Sequence, residues 1–201
     1  MQFPNRDTRS RMTGRQAVIA RCKQFQEFVY FEVAKGFAGL PAFHGKVVSI
    51  AYCAELQMQD LDLLYDKRHF NFLPSIMMAN PPDPENTIPL GICMYIDRVP
   101  VAYAIGDICD QRQAFEVHFI ETSNFFGHTG LKGWIRYLID ILIALREILV
   151  EKEGMDIRKI CIVNPVESTI APLIAMGFDF SHEYHKSDSA AILILPIDVQ
   201  E

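Results

Sequence analysis

Apolar positions repeat at helical spacing over four stretches and crowd at strand-like density in six short ones. "TGRQAVIARCKQFQEFVYFEVAKGF", residues 13–37, opens with Thr13 as a candidate cap and places Val18, Ile19, Cys22, Phe25, Val29 and Val33 on one helical face. "GKVVSIAY", 45–52, is β-branched and reads as a strand. "AELQMQDLDLLYDKRHF", 54–70, reads as a helix with Leu56, Leu61, Leu64 and Tyr65 facing inward. "NPPDPENTIP", 80–89, holds four prolines and two asparagines, which predicts a loop.

Three strands follow, "LGICMYID", "VAYAIGDIC" and "AFEVHFIET", with tight turns at "DRVP" and "DQRQ". Links this short require antiparallel hairpins, so the three form a meander. A long helix is predicted over about 132–151, apolar around most of its circumference and therefore buried on several sides. "RKICIVN" is a further strand, "ESTIAPLIAMGF" a short helix stopped by Gly177, and "AAILILPI" a last strand, with "SHEYHKSDS" read as the connection before it. "AFEVHFIET", the long helix and "RKICIVN" make a β-α-β unit, whose strands run parallel. The predicted fold class is α/β: a mixed, mainly antiparallel central sheet with a β-α-β crossover and flanking helices. Residues 1–12 are read as a loose basic N-terminus and 13–201 as a single domain.

Composition changes this picture little. The 201 residues are 50% hydrophobic and 22% charged, enough for one core. The net charge of −6 argues against broad nucleic-acid binding. Residues 1–23 run against that balance, with Arg6, Arg9, Arg11, Arg15, Arg21 and Lys23 opposed only by Asp7. Five scattered cysteines without a C-x-x-C pair read as reduced core residues, and a cytoplasmic protein is expected. The most apolar helix carries Arg136, Asp140, Arg146 and Glu147, which argues against a membrane span. No metal site is expected, because His182 and His185 lack a third ligand nearby.

The candidate chemistry centres on "NFFGHTGLKGWIRYL", 124–138, where Gly127, Gly130 and Gly133 precede the long helix. Exposed N–H groups at a helix start attract anions, and glycine lets a ligand approach the backbone. The spacing fails the nucleotide-triphosphate loop, whose lysine position does not match, and lacks the first close pair of the dinucleotide loop. The segment follows the meander and sits at the carboxyl end of "AFEVHFIET", where mixed α/β sheets bind ligands. Glu116, His118 and Thr122 alternate along that strand and are expected on one face.

"GHTGLKGWI", the strand and turn "RKICIVN", and the Gly177-Phe178 ending together resemble the GNAT N-acetyltransferase superfamily over residues 88–197. Residues 13–87 match it less clearly. The resemblance implies acetyl-CoA, or another acyl-CoA, as cosubstrate and a primary amine as acceptor, with a homodimer compatible. It places pyrophosphate on Gly127, His128, Thr129, Gly130, Leu131, Lys132 and Gly133, the thioester near Ile120 and Thr122, and a further coenzyme contact at Asn164. It makes Glu116 the expected general base; His118 on the same face is an alternative base or substrate contact, and Tyr184, with His182 and His185 just before the last strand, is the candidate acid by position. Gly127 and Lys132 depart from the loop pattern, and Leu173 stands where a family tyrosine would. A catalytically degenerate binding module of the same fold is the alternative function.

Overall fold

A computed structural model of the chain describes residues 6–67, 70, 87–123, 130–185 and 188–196. The elements in order are α1 (Arg6–Ala38), β1 (Val48–Ala51), α2 (Glu55–Asp66), β2 (Ile88–Ile96), β3 (Val99–Cys109), β4 (Ala114–Thr122), α3 (Gly130–Glu153), β5 (Lys159–Val163), α4 (Glu167–Ile174), β6 (Asp179–His185) and β7 (Asp188–Ile194). The strands form one sheet in the order β1-β2-β3-β4-β5-β7-β6. Only β4 and β5 run parallel, joined through α3 as the crossover predicts; the other pairs are antiparallel.

Several elements depart from expectation. The first helix starts at Arg6 rather than Thr13. Three of its basic residues are used within the chain. Arg15 Nη2 donates to the Thr87 carbonyl, Arg21 forms a two-pronged pair with Glu153 on α3, and Lys23 lies over the Tyr52 ring. Strand β2 takes in Ile88 and Pro89, which the proline count assigned to a loop. "SHEYH" is part of a strand, not a connection. Its aromatic positions Phe180 and Tyr184 are half-buried while Glu183 is exposed, so burial along it is too weak to announce a strand.

The sheet has two differently covered faces. Helices α1 and α3 pack together on one, burying Trp134, Ile135, Leu138, Ile141, Leu142, Leu145 and Leu149 against β2–β5. Among the described side chains of α3 the exposed ones are Arg136, Asp140, Glu147, Val150, Glu151 and Lys152, so the helix is buried on several sides up to its last turn. Buried Gln26 of α1 ties this layer to the sheet: its amide donates to the Pro89 carbonyl and its oxygen accepts from the Tyr30 hydroxyl. On the opposite face α2 presents Met58, Leu61 and Leu64, which with Phe70 cover Cys93, Tyr95, Tyr103 and Ile105. All five cysteines are buried and free. No helix among the described residues is long and apolar enough to cross a membrane.

Trp134 anchors the start of α3. It is fully buried, and its indole N–H donates to the Tyr103 carbonyl at 3.2 Å. Trp134→Phe removes that donor and part of the ring, and we expect a loss of about 1–2 kcal/mol, read from the urea midpoint. An unchanged midpoint would mean that the ring is not an anchor.

Candidate active site

The site lies where β4 and β5 part. Their pairing runs from Ala114 to Val117 against Lys159 to Ile162 and then stops. Strand β4 continues to Thr122 beside β3 alone. Among the described residues, no strand pairs with that side of β4 beyond Val117. Helix α3 begins at Gly130, eight residues beyond β4, with no acidic residue in its first turn. A helix start free of acidic residues attracts anions, and backbone N–H groups at an open strand edge can donate to a carbonyl oxygen.

A bulge shapes this edge. Gly106 on β3 faces Val117, and Ile105 faces Phe119, so His118 is the extra residue. Gly106 is what lets the strands approach here. A Cβ at this position would lie 1.9 Å from the Glu116 carbonyl oxygen. The bulge also shifts the alternation that the sequence suggested. Past it, Ile120 and Thr122 stand opposite Ala104 and Ala102, on the side of the α1–α3 core. Glu116 and His118 share the other face. Thr122 therefore does not join them, because an unpaired residue reverses the facing of every residue after it.

Glu116 is buried at the centre of a closed network. Arg112 grips it from four residues away across the β3–β4 turn, Nε to Oε1 at 2.5 Å and Nη2 to Oε2 at 2.7 Å. The Tyr184 hydroxyl donates to Oε1 at 2.6 Å. Burial pushes the Glu116 carboxyl up, but the hydrogen bonds from Arg112 and Tyr184 and the nearby charges of Arg112 and His118 outweigh it and hold the group below its ordinary value. Oε1 accepts two of these bonds and Oε2 one, so the lone pair left on Oε2 is where a further proton would be accepted.

Tyr184 reaches Glu116 from two strands beyond β5. Between Ser181 and His185 the register of β6 slips against β7, which frees Tyr184 to lean across the sheet. It lies over the small residues Ala114, Cys161 and Ala190, with Lys159 Nζ 5.3 Å from its ring centre. Burial, then the Cys161 and Glu116 neighbours, raise the tyrosine. Burial likewise pushes the Cys161 thiol up to about 11, which makes it a poor nucleophile.

The other expected residues are dispersed. Gly127, His128 and Thr129 lie outside the described residues; Gly130, Leu131 and Lys132 are described only as the first backbone turn of α3, and Gly133 is half-buried within it. Asn164 takes a left-handed φ of 48° and binds Asp188 and Ser189, tying the end of β5 to the start of β7. Leu173 belongs to the core. His182 stacks edge-on against Phe180 and stands apart from Glu116 in the sheet.

Two participants escaped the sequence reading. Arg112 sits in a turn whose polar composition explained itself. Asp107 is the lone carboxylate of the apolar run "VAYAIGDIC", and that oddity was the available signal. It is 2% exposed and directly opposite Glu116. His118 Nε2 lies 3.2 Å from its Oδ2.

No protein-family model matches the sequence, and no curated protein matches it. Solved structures similar to the chain include three acetyltransferases. The ribosomal-protein-S18-alanine N-acetyltransferase from Escherichia coli is 15% identical over 77% of this chain and 96% of its own, with a TM-score of 0.45. An acetyltransferase from Salmonella typhimurium that modifies the N-terminal serine of a 50S ribosomal subunit protein is 11% identical over 74% and 95%, with a TM-score of 0.49. The microcin C7 self-immunity acetyltransferase MccE, solved with acetyl-CoA and AMP, is 12% identical over 79% and 97%, with a TM-score of 0.49. In strand order, in the β4–α3–β5 crossover and in the parting of β4 and β5 after Val117, this chain is GNAT-like in fold.

Proposed function

We propose that this protein transfers an acyl group, acetyl in the simplest case, from its coenzyme A thioester to a primary amine. The observation that carries the reading is the parting of β4 from β5 after Val117, at the end of β4 that leads to α3. Backbone N–H groups at such an edge are aimed donors for a thioester carbonyl whose oxygen gains charge during attack. The start of α3, free of acidic residues, is the place for pyrophosphate. Polar side chains that can hold or move protons, Glu116, Tyr184, His118 and Asp107, stand on the face of β3, β4 and β6 reached from that edge.

Titration with acetyl-CoA by calorimetry tests the first half. Saturable binding is expected, and no heat at millimolar ligand would sink it. Release of free thiol in the presence of a panel of primary amines tests the second half. Within it, Glu116→Gln should lower turnover about tenfold or more while coenzyme affinity stays within about twofold, since the group acts on the reaction rather than on coenzyme binding. Turnover unaffected by that change removes Glu116 from the mechanism.

A second reading has its own observation. Both oxygens of Glu116 are occupied, and the core residue Leu173 stands where the family resemblance implies a tyrosine. A fold kept as a binding module, with no transfer to any amine and a stable partner recovered on pull-down, is the outcome that would favour it.

A further inference from the structure

Asp107 and His118 are the unsettled pair at this site. Asp107 is 2% exposed in a strand otherwise built of apolar and small residues. A buried carboxylate without compensation is costly. Its cross-strand neighbour Glu116 offers no help, being a carboxylate itself and already bound to Arg112 Nε and Nη2 and to Tyr184. The remaining compensation is His118, whose side chain is 13% exposed and whose Nε2 stands 3.2 Å from Asp107 Oδ2. That contact is close but is not an aligned hydrogen bond. Asp107 Oδ1 and His118 Nε2 are both buried without a hydrogen-bond partner among the described residues. Buried polar atoms of a purely structural pair are ordinarily hydrogen-bonded, so two unsatisfied ones on contacting side chains call for an explanation.

The bulge gives His118 its place. As the extra residue of the bulge opposite Gly106, it is the first residue of β4 beyond the pairing with β5. Two carboxyl groups, Asp107 and Glu116, stand beside His118, with Arg112 on Glu116 and Lys159 Nζ 5.3 Å from the Tyr184 ring centre, so an imidazolium formed at His118 has carboxylates to face. Nε2 is the nitrogen turned inward, which leaves Nδ1 as the nitrogen able to take a proton from outside.

We propose that Asp107 is a positioning residue that holds His118 with its proton on Nε2, so that Nδ1 serves as the proton acceptor in acyl transfer. This rests on the acyl-transfer reading above. The acceptor arrives as an ammonium ion. One N–H proton passes to Nδ1, leaving a neutral amine. The nitrogen lone pair bonds to the thioester carbonyl carbon, and the carbonyl electrons move onto oxygen. They return as the carbon–sulfur bond breaks, and that pair leaves on sulfur as thiolate. The second nitrogen proton is lost as the amide forms, and the thiolate takes the proton from Nδ1. The products are amide, free thiol and one proton, which balances the entering ammonium. Glu116, with Arg112 and Tyr184, then supplies the fixed charge around the imidazole and is not the first acceptor.

The test reads the tautomer directly. Long-range proton–nitrogen NMR spectra of the full-length, histidine-labelled protein at neutral pH show which ring nitrogen carries hydrogen, with His118→Gln identifying the signal. The expected wild-type state is Nε2–H. In Asp107→Asn the new amide can donate to Nε2, and the ring should change to Nδ1–H. Turnover in that variant should fall about 100-fold or more while KM for both substrates stays within about threefold, as expected when the accepting lone pair is turned away. His118→Ala should regain part of its turnover with added imidazole. Nδ1–H in the wild-type protein overturns the proposal without any variant being needed. So does Asp107→Asn with an unchanged tautomer and unchanged turnover. If the tautomer changes as expected but no amine is acylated, the positioning role stands and the acyl-transfer reading is what fails.

Discussion

Arg112→Ala should destabilise this protein by about 3–5 kcal/mol at neutral pH. The Glu116 carboxylate is 4% exposed and its two oxygens take Arg112 Nε and Nη2 side by side. Removing the guanidinium leaves a buried charge with the Tyr184 hydroxyl as its remaining donor in the network. The loss is mainly the cost of that stranded charge and not the net worth of the pair. Two consequences follow from the sign of the Glu116 shift. In the wild-type protein the carboxyl is held below its ordinary value of 4.5. Its contribution is therefore complete above that value and is lost as pH falls through the lower folded-state value. In the variant, burial acts unopposed by Arg112, so the carboxyl protonates at higher pH and the penalty shrinks in acid. Urea denaturation should find the two proteins furthest apart near pH 7 and converging below about pH 4. Adding Glu116→Gln to the variant should recover much of the loss. A loss below about 1 kcal/mol at neutral pH would instead mark the pair as solvated, like an ordinary surface ion pair.

Gly106→Ala is expected to cost about 3 kcal/mol, equivalent to a fall in Tm of about 6–12 °C for a chain of this size. The added methyl carbon would stand 1.9 Å from the Glu116 carbonyl oxygen and 2.9 Å from both the Glu116 carbonyl carbon and the Val117 Cα. These are backbone atoms, and no side-chain rotation relieves them. Strand β4 must move away from β3, and the bulge at His118 moves with it. Activity and the His118 ring signal should be lost together, even at temperatures where the protein stays folded. A thermal scan matching wild type would mean that the strands do not approach this closely. The same change at Gly14 or Gly154 meets nothing within 4 Å, which makes Gly14→Ala in α1 a fitting control; Gly154 is unsuitable because its φ is +66°.

The meander, the crossover and the long buried helix were all legible in the chain. Their signals are local: strand-length apolar runs between turn residues, and an apolar helix longer than any strand. Glu116, His118 and Tyr184 were also singled out, two from their place on one strand and one from its place before the last. What could not be read is how these side chains meet. Strand β6 escaped because its polar, half-exposed residues carry weak alternation. Arg112 looked like turn composition, since nothing local says that a turn arginine folds back onto a strand glutamate. Thr122 was placed on the wrong face because a bulge four residues earlier reverses alternation, and the sign of a bulge is a glycine on a different strand.

Sequence by itself determined the meander, the crossover and the long helix, with the parallel or antiparallel sense of their strands, because periodicity and link length are properties of neighbouring residues. Tertiary structure alone decided that Gly106 admits the bulge, that Arg112 and Tyr184 converge on Glu116, and that Asp107 faces His118. Those contacts depend on cross-strand register, which is set by packing of the whole sheet. A buried carboxylate acquires its chemistry from what stands opposite it, and that partner is chosen by the register.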